Sequence, residues 1–230
     1  MKKKLYVTPS RKELLFGTIY LLLELTVLPL GLILASDAMG LSLSEAQLNV
    51  VFFIFSFGVT TLIFRRFILA SLADGLRRFP AILFGALRGF LIYWAGNLLI
   101  TMLILQLDPE FINVNDASID VMLDSGFLPL AVCTIFFVPI TEELLFRGVL
   151  FAGFYNRRPL AAFMISCAVF SAIHVVGYIG SYSWDTLLLC FIQYIPPSLA
   201  LGVAYARSGS ILSPMLMHIV INAIGIFAMR

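Results

Sequence analysis

The chain has 230 residues, of which 61% are hydrophobic and 12% charged. A soluble domain of this size carries about 45–50% apolar and about 25% charged residues, so a water-soluble globule and a disordered segment are both excluded. The formal charge of +2 comes without a basic stripe interleaved with aromatics, so nothing points to a nucleic-acid partner.

Seven apolar runs predict membrane-spanning helices, at about 13–36, 47–71, 80–107, 126–153, 159–180, 184–206 and 209–229. The runs are continuous and helix-length, so the expected fold is an all-α polytopic membrane bundle of about seven transmembrane helices rather than a β-barrel. The first run follows Lys2-Lys3-Lys4 and is too long for a signal-peptide core, so it reads as a retained signal anchor. In the third, Gly85 and Gly89 are spaced for a close helix contact. Pro139 and Pro196-Pro197 interrupt the fourth and sixth, as is tolerated where a broken helix lines a cavity. Cys133, Cys167 and Cys190 lie inside apolar runs and read as buried small hydrophobes.

Twelve of the fifteen Lys and Arg fall on one side of this topology: Lys2, Lys3, Lys4, Arg11, Lys12, Arg65, Arg66, Arg77, Arg78, Arg157, Arg158 and Arg207. Positive charge in short loops stays in the cytoplasm. The expected topology is therefore an integral multi-pass protein of the plasma membrane with a cytoplasmic amino terminus and Arg230 outside. The opposite loops carry Asp37, Glu45, Asp108, Glu110, Asp116, Asp120, Asp124 and Asp185, and 108–125 reads as a solvated acidic connector.

What remains is a set of polar groups at membrane depth: Glu24, Arg88, Glu142, Glu143, Arg147, His174 and His218, with the amides of Asn97, Gln193 and Asn222. A charge at the bilayer centre costs at least about 2.5–3.5 kcal/mol, so such groups usually face a protein interior or a wet cavity. Glu24 and Arg88 are candidates to neutralise each other and, with Asn97, to serve packing or gating. Glu143 and Arg147 stand four residues apart, on one helix face, and can form an ion pair. Glu142 is rotated by about 100° from Glu143, so one acid is structural and the other is free for chemistry. Phe170 precedes His174 by one turn, and His218 precedes Asn222 by one turn. Three helices thus each present a polar face. No serine or cysteine stands in a nucleophile motif, whereas a carboxylate at low dielectric is a stronger base, and an imidazole with an amide can stabilise an oxyanion.

The motifs Glu142-Glu143-x-x-x-Arg147, Phe170-x-x-x-His174 and His218-x-x-x-Asn222 resemble the signature of the CAAX protease and bacteriocin-processing (CPBP) family of intramembrane glutamic endopeptidases, related to type II CAAX prenyl endopeptidases. The resemblance spans about 126–229 and divides the chain into 1–125, three N-terminal helices with the acidic outer loop, and 126–230, a catalytic core of four helices. It implies a membrane-embedded endopeptidase acting on a membrane-associated protein or peptide, such as a prenylated protein C-terminus or a bacteriocin-type peptide. By the same resemblance Glu142 activates water with help from His174, His218 and Asn222 stabilise the oxyanion, Glu143 and Arg147 support, and Phe170 shapes the pocket. No cofactor or metal is implied. Water and substrate are expected from the cytoplasm or laterally from its leaflet, because Glu142 lies about twelve residues from that end of its run and His218 about nine. Three other readings stay open: a non-catalytic immunity or regulatory protein that binds a peptide or sensor partner, a zinc-dependent membrane protease using Glu142, His174, His218 and Asn222, and a small transporter. Oligomeric state is not legible.

Overall fold

Prolines and buried polar caps decide where the helices of this chain stop and turn. The computed structural model describes residues 4–229, except for the side chains of 125–127; Lys2, Lys3 and Arg230 of the charge pattern lie outside the described residues. Helix α1 (Arg11–Thr26) and α2 (Leu28–Ala38) form one bent element with a 58° angle between them. Pro29 in the first turn of α2 has no N–H to return to α1, which explains the bend. Helices α3 (Glu45–Ile63) and α4 (Arg65–Arg77) divide the second apolar run at Phe64, which is fully buried. Buried Glu13 completes a capping box with Ser10, and its other oxygen accepts the Phe67 N–H at 2.8 Å, so one carboxylate holds the starts of both α1 and α4.

The long α5 (Phe79–Leu107) packs on the last two helices through its glycines. A Cβ at Gly85 would sit 2.8 Å from Ser208 Cβ, and one at Gly89 would sit 2.9 Å from Ala204 Cβ. The predicted small-residue contact is therefore present.

Helix α6 runs from Val114 to Val132, so the acidic stretch expected as an outer loop is largely helical, and the division at 125/126 falls inside a helix. The reason is local: the Asn113 side chain accepts the Asn115 and Asp116 N–H groups at 3.0 and 3.2 Å, a ready N-cap, and Val114 and Leu123 are buried. The chain then stays helical through a π-helical stretch (Cys133–Phe137), α7 (Val138–Glu142), a second π-helical stretch (Glu143–Phe151) and α8 (Ala152–Tyr155). Pro139 widens this helix instead of breaking it. At the end of the first π stretch the Val138 N–H reaches Cys133 O, five residues back. The next donor in that register would be Pro139, which has none, so the Thr134 carbonyl loses its helical partner.

Helix α9 (Pro159–Val176) follows, then α10 (Trp184–Gln193) and α11 (Ile195–Ser208), separated at Tyr194 by Pro196-Pro197, and finally α12 (Leu212–Ala228). The main core joins Leu144, Phe146, Phe151, Leu201, Tyr205 and Met217 from these helices. The three cysteines are free and buried.

The protein is an all-α polytopic membrane bundle. Against seven expected crossings, the described residues contain five helices or helix runs long and apolar enough to span a bilayer: 45–63, 79–107, 128–155, 159–176 and 184–208. The bent α1–α2 pair makes a sixth if it is one span, and α12, with 17 residues, is shorter than the rest.

Candidate active site

Glu142 and Glu143 sit where α7 passes into the second π stretch, and the turn of the helix sends their side chains to different places. Glu143 faces the interior. Its Oε1 lies 3.1 Å from Arg147 Nη1 and 3.0 Å from His218 Nδ1, and both Glu143 and Arg147 are fully buried. Arg147 Nη2 donates to the Ser198 carbonyl and hydroxyl at 3.2 and 3.3 Å, and its guanidinium lies 4.5 Å above the Phe170 ring. The expected ion pair is thus embedded in a layer that fastens α11, α9 and α12 to the glutamate helix.

Glu142 faces a cavity of about 450 Å³. His174, His218, Asn222 and Phe170 line the same cavity, as do Asn97 and Gln193. The structure therefore gathers the residues of the three motifs that face the hollow, with Glu143 and Arg147 behind its wall. Glu142 Oε2 is buried without a hydrogen-bond partner among the described residues, and His218 Nε2 stands 3.8 Å from it. That gap is too long for a direct hydrogen bond.

The hydrogen bonds dictate which ring nitrogens carry protons. His174 Nδ1 is 2.8 Å from the Phe170 carbonyl, which can only accept, so Nδ1 holds the proton and Nε2 of the neutral ring keeps its lone pair. His218 Nδ1 likewise donates to Glu143. To donate through Nε2 as well, His218 must carry both protons. Asn222 Nδ2 donates to the Thr134 carbonyl at 2.8 Å, the same carbonyl that Pro139 leaves without a helical partner. One amide hydrogen is committed there, and the second has no partner among the described residues. Among the described residues no three His, Cys, Asp or Glu side chains are placed to share a metal ion.

Two expectations about the surrounding polar groups change. Glu24 does not meet Arg88: its carboxylate takes a short hydrogen bond from the Ser56 hydroxyl of α3, and Arg88 is exposed on α5. The cavity lies toward the acidic end, whereas access was expected from the arginine-rich side. Its lining includes Glu45, Asn49, Asn113, Asn115, Asp116 and Tyr178, all at the acidic end, and no lysine or arginine. Glu142 stands near the middle of its helix run, whereas His174 lies only two residues from the acidic-side end of α9. Glu142 also borders a second cavity, of about 740 Å³, which runs past Glu24, Pro29 and Ser56 at the α1–α2 bend.

Sequence reasoning missed the contribution of residues 113–116 and Tyr194. The Tyr194 ring stacks on His174 with centroids 4.0 Å apart, and its hydroxyl meets Asn115 and Asp116 at 3.0 Å each. Desolvation at the cavity mouth raises the Asp116 carboxyl above its ordinary value, against the lowering effect of the Tyr194 and Asn115 hydrogen bonds. The available signal was the Pro196-Pro197 break, which predicts an irregular turn lining a pocket.

Comparison with known proteins agrees with the motif resemblance. Residues 124–224 match the family described as type II CAAX prenyl endopeptidase Rce1-like. The UPF0177 protein YxdF of Lactococcus lactis subsp. lactis (strain IL1403) is 27% identical over 135 residues, covering 57% of this chain and 68% of that protein. No solved structure matches the chain. The matched family is a family of proteases, and its segment holds every motif residue of the cavity and of the ion-pair layer behind it.

Proposed function

We propose that this Rce1-like, multi-pass membrane protein hydrolyses a peptide bond of a membrane-associated protein or peptide with water activated at Glu142. The observation that carries the reading is the shared cavity of Glu142, His174, His218 and Asn222, backed by a sealed Glu143–Arg147 pair. The family match adds weight, since it covers the segment that contains all of them.

In this reading a water held between Glu142 and the histidines attacks the scissile carbonyl. Glu142 takes one of its protons as the carbon–oxygen bond forms; the Nε2 lone pair of His174 orients the water. General-base catalysis of this kind contributes typically about 10²–10⁴-fold. The negative charge that develops on the carbonyl oxygen meets the Nε2–H of doubly protonated His218 and the second N–H of Asn222. Collapse of the tetrahedral intermediate breaks the carbon–nitrogen bond, and Glu142 returns its proton to the departing amine. Glu143 holds the Nδ1 proton of His218, and Arg147 keeps that carboxylate in place. Phe170 packs against both imidazoles, with centroids 4.7 Å from His174 and 5.9 Å from His218.

The positive-inside pattern puts the amino terminus in the cytoplasm; the acidic end, and with it the cavity mouth, then faces outward. A single cysteine introduced at Ser118 in a chain lacking its native cysteines should react with an impermeant maleimide added to intact cells. Reaction only after the cytoplasmic face is opened would reverse the orientation.

The activity is tested by comparing the membrane peptidome of cells carrying the native chain with that of cells carrying Glu142→Gln at equal expression. Cleavage products present with the first and missing with the second are expected. Identical peptidomes, together with an undiminished biological effect of Glu142→Gln, would overturn the hydrolase reading and leave a protein that acts by binding.

A further inference from the structure

His174 is the only cavity imidazole without a carboxylate at hydrogen-bond distance among the described residues, so its aim has to be fixed by other means. Its Nδ1–H is tied to the Phe170 carbonyl, and the Phe170 ring packs on it at 4.7 Å. The remaining contact comes from the break between α10 and α11. Pro196 and Pro197 cannot donate back into α10, and the chain turns at Tyr194, whose N–H is shared between the Cys190 and Phe191 carbonyls at 3.2 Å each. The Tyr194 ring then lies nearly parallel to the imidazole, 4.0 Å away with an interplanar angle of 25°.

Tyr194 is itself tethered, and the tether comes from outside the family-matched segment. The Asn115 amide donates to the phenol oxygen at 3.0 Å, and the phenol proton goes to Asp116 Oδ1 at 3.0 Å. Asn113 donates to Gln193 Oε1 at 2.7 Å while its own oxygen caps α6. The first turn of α6 thus grips the turn that carries Tyr194 at two successive residues. We propose that Tyr194 is a positioning residue for His174, and that the α6 cap Asn113–Asp116 holds Tyr194 in the stacked position so that Nε2 of His174 points into the cavity. The inference rests on the hydrolase reading for its consequence, but its geometry stands independently.

The chain has two histidines, which makes the test direct. Histidine-selective ¹³C labelling of the detergent-solubilised full chain gives two ring spin systems, assigned with His174→Gln. In Tyr194→Leu the His174 signals should lose the upfield ring-current shift of the stacked tyrosine. In Tyr194→Phe they should keep most of it but broaden, because the ring remains and its tether is gone. Asn115→Ala with Asp116→Asn should reproduce the Tyr194→Phe pattern. His218 signals unchanged in these variants report that the ion-pair layer, and so the fold, is intact. On a peptide identified from the peptidome comparison, Tyr194→Leu should lower kcat about 100-fold with KM little changed, the scale of a misplacement near 1 Å, and Tyr194→Phe should fall between it and the native chain. His174 signals indifferent to Tyr194→Leu would overturn the proposal. So would a shifted His174 with undiminished kcat in a protein that Glu142→Gln inactivates. If Glu142→Gln leaves cleavage intact, the hydrolase reading fails, and the ring signals alone still decide whether the stack and its tether exist.

Discussion

Glu142 and Glu143 share a peptide bond, yet the two faces of their helix are different media. Behind the helix, Glu143, Arg147, His218 Nδ1 and Ser198 form a layer with no solvent exposure at the two charges. In front, Glu142 has only the more distant His218 Nε2, at 3.8 Å, and lines a cavity that also touches His174, Asn222 and the acid-rich end. A rotation of about 100° per residue therefore separates a carboxylate whose charge is spent on holding four helices from one whose charge remains available. The dry face is where loss of a group should unfold the protein; the wet face is where loss should silence it.

The largest expected effect breaks the dry face. Arg147→Ala leaves Glu143 in a sealed site with only the His218 Nδ1–H to answer its charge, and removing one partner of a buried pair costs about 3–5 kcal/mol. Denaturant unfolding of the purified protein in detergent should show that loss, and replacing both partners, Glu143→Leu with Arg147→Met, should recover part of it, the remainder being the His218 Nδ1–H left without its acceptor. A loss below about 1 kcal/mol for Arg147→Ala would mean that solvent reaches the layer, and the contrast between the faces would fail.

Next comes the contact that carries the dry side to the first half of the chain. Gly89 faces Ala204 and the Ala200 carbonyl, with a substituted Cβ placed 2.9 and 3.0 Å from them. Neither neighbour can rotate away, so Gly89→Ala should cost about 1–3 kcal/mol as overpacking. Met217, beside His218, is the third neighbour, at 2.6 Å. Activity should therefore fall as well, whereas Gly58→Ala, inside α3 with open space around it, should cost neither stability nor activity.

How much of this the chain announces depends on the range of the interaction. The Glu143–Arg147 pair, the Gly85–Gly89 contact and the three polar faces are readable because each lies within one or two helical turns, where spacing dictates geometry. The bend at Val27, the division at Phe64 and the helical character of 114–125 were not, since apolar runs do not reveal where a backbone turns and an acidic stretch reads as solvated. Tyr194 and Asn113–Asp116 escaped notice for another reason. They come together only when α6 docks beside the α10–α11 break, and nothing in the local sequence of either pairs them. The acidic-end lining of the cavity was lost in the same way: residue counting measures depth along one helix, while the cavity is lined by several.

The smallest effect separates the two hydrogens of a single amide. Pro139 deprives the Thr134 carbonyl of a helical donor, and Asn222 supplies one at 2.8 Å. Asn222→Ala should then leave a buried carbonyl unpaired, at about 1–3 kcal/mol. In a Pro139→Ala background the backbone regains an N–H, and whether the helix keeps its wide register or tightens, the Thr134 carbonyl acquires a backbone donor again. The stability cost of Asn222→Ala should shrink there, giving a coupling of roughly 1 kcal/mol, inside the range of about 0.5–3 kcal/mol for residues that share a partner. Cleavage should not recover in parallel. The second amide hydrogen has no substitute, and loss of one oxyanion donor costs about 10²–10³ in rate, so Asn222→Ala should be equally slow in both backgrounds. Recovery of both stability and rate would place Asn222 entirely with the helix geometry, and recovery of neither would detach it from Pro139. Recovery of stability alone is the outcome that keeps one hydrogen of this amide on the dry side and the other on the wet.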